Sequence, residues 1–64
     1  MHKWYIKYIY YDRDLSLHSC WVIKNSRLNL DYSDDFLEMK KEIETEKGYE
    51  IIIEWWTRFN QIPE

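Results

Sequence analysis

The chain has 64 residues, enough for one domain, and a domain of this size buries only about 60% of the surface its unfolded chain exposes, so its own core leaves it marginally stable. A single cysteine, Cys20, excludes an internal disulfide, and no Cys/His spacing suits a structural zinc, which leaves association as the remaining support. The formal net charge of −3 argues against generic nucleic-acid binding, where phosphate contacts dominate affinity, and it is unevenly spread: residues 1–30 carry five basic and two acidic groups, residues 31–54 three basic and nine acidic.

The opening MHKWYIKYIYY is interrupted by Lys3 and Lys7 and has no small-residue cleavage site, so it does not read as a signal peptide. No apolar run approaches the roughly 20 residues of a membrane helix, and a soluble protein of a reducing cytoplasm is expected, with no membrane and no cofactor. His2–Tyr11 is rich in β-branched and aromatic residues and predicts a first strand. Side chains alternate across the pleat, so Trp4, Ile6, Tyr8 and Tyr10 share one face and Lys3, Tyr5, Lys7, Ile9 and Tyr11 the other. Asp12-Arg13-Asp14 predicts a hairpin turn. A second strand follows over residues 16–24, with Leu17, Ser19, Trp21 and Ile23 on one face and His18, Cys20, Val22 and Lys24 on the other; either set suits the core.

Residues 25–31 read as a polar connection with Leu28 and Leu30 set into it. A helix is expected from Ser33 as N-cap, with Asp34 and Asp35 favoured by the helix dipole and Tyr32 stapled to Leu37. Tyr32, Phe36, Met39 and Ile43 recur at helical spacing as one apolar stripe. Lys47 and then Gly48 form a stop signal. Residues 49–56 predict a third strand, with Tyr49, Ile51, Ile53 and Trp55 on one face and Glu50, Ile52, Glu54 and Trp56 on the other.

The order strand, strand, helix, strand implies an α+β domain over residues 1–64: a three-stranded antiparallel sheet in the order 2-1-3, with the one helix packed on one face. One helix covers one face. Tyr5, Ile9, Tyr11, Ile52 and Trp56 are then left on an open face, large enough to mark a contact site, and a homodimer is the first form to consider. The competing expectation is that the C-terminal segment folds back over this face through Phe59 and Ile62.

His18 and Cys20 lie two apart on one strand face, yet no oxyanion-type turn accompanies them, and a half-buried Cys beside a surface His is the expected reading; no enzymatic activity is expected. Acidic residues of the helix, among them Asp34, Asp35, Glu38 and Glu42, read either as a solvated face or as a surface that competes for a basic groove on a partner. Tyr and Trp interleaved with Lys3 and Lys7 could also stack bases of a single-stranded nucleic acid, against which Glu50 and Glu54 would repel phosphates.

The run WYIKYIYYDRD, then SCWVIK, then YSDDFLEMKKEIETEKGYEIIIEWW resembles small proteins encoded by bacteriophages and mobile elements of Gram-positive bacteria. Some small phage proteins of comparable build inhibit host defence systems, including CRISPR effectors. What the resemblance implies is a non-enzymatic inhibitor that binds a host protein; the alternative is a single-stranded nucleic-acid-binding module using the aromatic sheet face.

Overall fold

A computed structural model describes residues 1–59. Three strands and one helix follow one another as β1 (His2–Tyr11), β2 (Leu17–Ser26), α1 (Ser33–Lys47) and β3 (Ile52–Arg58). β1 is the middle strand, antiparallel to both neighbours, so the sheet has the expected order β2-β1-β3 and the fold is α+β. The hairpin closes with Tyr11 opposite Leu17, which makes the paired residues of β1 and β2 share parity. Trp4, Ile6 and Tyr8 therefore stand on the same face as Lys24, Val22 and Cys20, and this face is the buried one.

The core consists of Trp4, Ile6, Tyr8, Leu30, Met39, Ile43 and Ile51, each no more than 2% exposed. Two of its members, Leu30 and Ile51, lie outside the strands and the helix. Leu30 lies in the β2–α1 connection, and Leu28 beside it accepts a 2.9 Å hydrogen bond at its carbonyl from the Trp4 indole Nε1–H. That bond satisfies the one polar atom of a buried indole. A segment read as polar connection thus closes one end of the core.

The helix begins one residue earlier than a Ser33 cap implies. Tyr32, with extended backbone (φ −98°, ψ 133°), occupies the cap position without a side-chain hydrogen bond. The first turn is secured instead by the Asp35 carboxylate, which accepts the Asn29 backbone N–H at 2.8 Å. Tyr32 and Leu37 are both more than half exposed, so the stripe expected from Tyr32 starts in fact at Phe36 and is buried only at Met39 and Ile43. At the other end Gly48 takes the left-handed conformation (φ 84°) and donates its N–H to the Glu44 carbonyl at 2.8 Å, the geometry that favours glycine after a helix.

β3 departs from the plain alternation. Tyr8 faces Ile53 and Lys7 faces Trp55, so Glu54 has no partner of its own on β1 and forms a bulge. One extra residue exchanges the faces of everything beyond it. Trp56, expected on the open face, is turned inward opposite Ile6 and packs on Phe36 at a centroid distance of 4.9 Å. Trp55, expected in the core, stands outward and is 49% exposed. Tyr49 and Ile51, expected within the strand, precede it; they still pack on the core.

Candidate functional site: the open sheet face

The face of the sheet away from α1 is built in cross-strand rows. Ile23, Tyr5 and Thr57 make one row, Trp21, Lys7 and Trp55 the next, and Ser19, Ile9 and Ile52 a third. Tyr11 and Leu17 finish it beside the hairpin. Placement follows from parity: odd residues of β1 and β2 point outward, and the bulge at Glu54 brings Trp55 into register with them. Of the open-face residues expected from sequence, Tyr5, Ile9, Tyr11 and Ile52 are here and Trp56 is not.

The rings form a connected cluster. Trp21 meets Tyr5 edge-on at 4.6 Å and Trp55 edge-on at 5.7 Å, so two indoles lean together above the central strand. The Lys7 Nζ lies 5.9 Å from the Trp21 ring centroid and 3.6 Å from the Glu54 carboxylate, which spreads one cation over a ring and one anion. Phe59 joins the cluster at 5.7 Å from Tyr5, with the Lys3 Nζ 5.4 Å from its ring, and its backbone N–H donates to the Lys3 carbonyl at 2.9 Å. Phe59 thus continues the ladder one step past Arg58 and covers one corner of the face without folding back over it; Ile62, the other residue expected to cover the face, lies outside the described residues. Among the described residues the face stays open. Trp21, Trp55, Ile23, Ile52, Leu17 and Tyr11 are between 49% and 56% exposed.

The acidic residues of α1 do not gather into one surface. Asp35 is turned back to the Asn29 amide, and Glu42 lies 3.4 Å from the Lys24 ammonium, which also pairs with Glu46. Burial lowers the Lys24 pKa, but Glu46 and Glu42 more than reverse this and leave it raised. Lys24 thus turns inward along the edge strand and fastens β2 to the helix. Asp34 and Glu38 line a shallow groove with Leu37, Lys40 and Lys41, where the cations interrupt the acidic field. Glu44 is structural as well: it accepts the Lys40 ammonium at 2.7 Å and the Ile51 N–H at 3.0 Å, and these bonds, Lys40 first, hold its pKa down. This ties α1 to the segment that enters β3.

His18 and Cys20 do share a face, the inner one, but they point to different partners. The His18 Nε2 is 2.7 Å from the Asp12 carboxylate, and its ring stacks on Tyr10 at 4.8 Å, which in turn stacks on Tyr49 at 4.0 Å. Cys20 is half-buried against the core near Tyr8, whose hydroxyl is raised well above its ordinary pKa by burial first and by Tyr49 second. Among the described residues no group of three His, Cys, Asp or Glu side chains could hold a metal, and no helix is long and apolar enough to cross a membrane.

The Asp12 carboxylate has a second task, accepting the N–H groups of Asp14 and Ser16 at 2.9 Å and so holding the hairpin loop in which Leu15 takes a positive φ of 63°. The His18 bond first, and the Ser16 N–H second, keep its pKa below the ordinary aspartate value. A carboxyl held down in the folded state contributes stability above the unfolded value of about 4 and loses it as pH falls through the folded one. His18→Ala is expected to move the Asp12 titration midpoint up toward that ordinary value in a carboxyl-detected NMR titration; an unmoved midpoint would contradict the assigned bond.

The comparisons with known proteins leave the geometry to stand by itself, for no family model, no curated protein and no solved structure matches the chain.

Proposed function

We propose that this chain is a non-enzymatic binding module whose open sheet face takes up the surface of another protein. The observation that carries the reading is the concentration of half-exposed Trp21, Trp55, Tyr11, Leu17, Ile23 and Ile52 on one face of a sheet whose other face packs on α1. Aromatic residues are enriched in protein interfaces, where they give a large contact area for few rotatable bonds, and apolar patches of this extent on small proteins mark contact sites. The inhibition of a host protein implied by the resemblance, including a bacterial defence protein, is this reading with a target named. Inhibition would follow from covering or distorting the surface that is bound.

The interleaved cations and rings, with Lys7 above Trp21 and Lys3 above Phe59, support a second reading, a platform for single-stranded nucleic acid. Protein is favoured because Leu17, Ile23 and Ile52 offer bases no stacking surface and because Glu54 stands beside Lys7.

The two readings separate under photo-crosslinking in cells, with a benzophenone amino acid placed at Ile23 and, as a control, at Leu37 on the outer side of α1. The expected result is protein adducts at Ile23 in excess of Leu37. Nucleic-acid adducts, together with a salt-dependent anisotropy rise of labelled single strands that Tyr5→Ala removes, would favour the second reading; equal adducts at both positions would overturn both.

A further inference from the structure

Resting on that reading, we infer that the protein surface taken up by the open face is the same face of a second copy, stacked across a two-fold axis that runs perpendicular to β1. Three observations point to this occupant. The first is area. Seven apolar side chains of the face, from Phe59 at 38% to Leu17 at 56%, are about half exposed. Four of them are aromatic, and roughly half of the 150–250 Å² that an aromatic side chain buries gives on the order of 400 Å² per protomer, to which the half-exposed Leu17, Ile23 and Ile52 add. A standard stable interface buries about 800 Å² per partner. The patch alone therefore supplies half or more of a standard interface, at the upper end of what monomers commonly leave exposed.

The second observation is charge. Lys3 stands at the start of β1, and Glu50 lies at the opposite end, lining a hollow with Ile9, Tyr11 and Ile52. A two-fold axis perpendicular to the strand reverses β1 of the second copy, which sets each Lys3 toward the other protomer's Glu50. Lys7, next to the centre, already carries its own carboxylate, Glu54, at 3.6 Å. Such a patch is complementary to itself in the way a two-fold interface requires. The third observation is relief. The rings of Tyr5 and Phe59 stand toward the Lys3 end, while the Glu50 end offers a hollow of about 190 Å³, so the same reversal lays these rings of one copy toward the hollow of the other.

Aligned stacking of two sheets at about 10 Å would make a six-stranded sandwich with a helix on each outer side.

Sedimentation velocity on the purified full chain tests the inference. The expected mass is twice 8.1 kDa at micromolar concentration, falling to one copy in Trp21→Glu and in Ile23→Lys with the far-UV spectrum unchanged, and staying at two copies in Leu37→Glu. Wild type that sediments as a monomer at every concentration would overturn the inference. So would a dimer that survives both face variants, or one lost equally in Leu37→Glu. Should the face variants fail to fold, a mixed sample of isotope-labelled and unlabelled wild type gives the same answer: contacts between copies are expected from the Trp21 and Trp55 rings, and contacts confined to α1 would refute the arrangement. A monomer that still gives crosslinks from Ile23 to a different protein would sink the second copy alone and leave the binding-module reading standing.

Discussion

Ile6→Ala is expected to remove a large share of the chain's stability. Ile6 is fully buried at the centre of β1, between Val22 and Trp56, in the core completed by Met39 and Ile43. Truncating such a side chain costs about 2–5 kcal/mol, because the removed atoms lose their burial and leave a cavity that the surroundings fill only in part. A chain of this length has a total stability of roughly 3–10 kcal/mol. Urea titration followed by circular dichroism reads the outcome: loss of the transition, or a midpoint displaced by most of its value, agrees with the core described, and a midpoint within error of wild type contradicts it.

The second large effect separates two neighbouring indoles. Trp56→Ala is expected to cost about 2–3 kcal/mol, somewhat less than for a fully buried indole, since Trp56 is half-buried on Phe36 and the core. Trp55→Ala, in samples dilute enough to be monomeric, is expected to cost under about 1 kcal/mol, as for an exposed position. Without the bulge at Glu54 the two results would exchange. Chemical denaturation of the two variants side by side is thus a direct test of register in β3, and a larger loss from Trp55→Ala would show the bulge to be misplaced.

That exchange marks the limit of what alternation reveals. The strands, the helix and their order are legible because apolar residues recur at two in β1 and at 3.6 in α1, and because Gly48 stops the helix. The bulge has no such signal: Glu54 is an ordinary outward residue in sequence, and only pairing with β1 shows that it lacks a partner. The buried face of β2 was open to reasoning of another kind. With β1 ending at Tyr11 and the partner strand opening at Leu17, paired residues have the same parity, so choosing Trp4 and Ile6 for the core would have placed Trp21 and Ile23 on the open face.

Loop residues were harder to read. Leu28 and Leu30 have no periodicity to declare them, yet one caps the Trp4 indole and the other is core. The acidic residues of the helix cannot be told apart by spacing for a related reason. Spacing places Asp35 and Glu42 on the helix, but it cannot tell that one reaches the Asn29 amide and the other Lys24 on β2. Asp34 and Glu38 remain on the outer groove of α1, away from the aromatic face.

Fluorine NMR of protein carrying 5-fluorotryptophan at its four indoles tests the central claim, that one face of the sheet is built to be covered by another protein surface. As concentration rises through assembly, the resonances of Trp21 and Trp55 are expected to shift and to lose their solvent isotope effect, while those of Trp4 and Trp56 stay in place. Shifts at Trp4 and Trp56 with Trp21 and Trp55 unmoved, or four resonances indifferent to concentration and to any added protein, would contradict it.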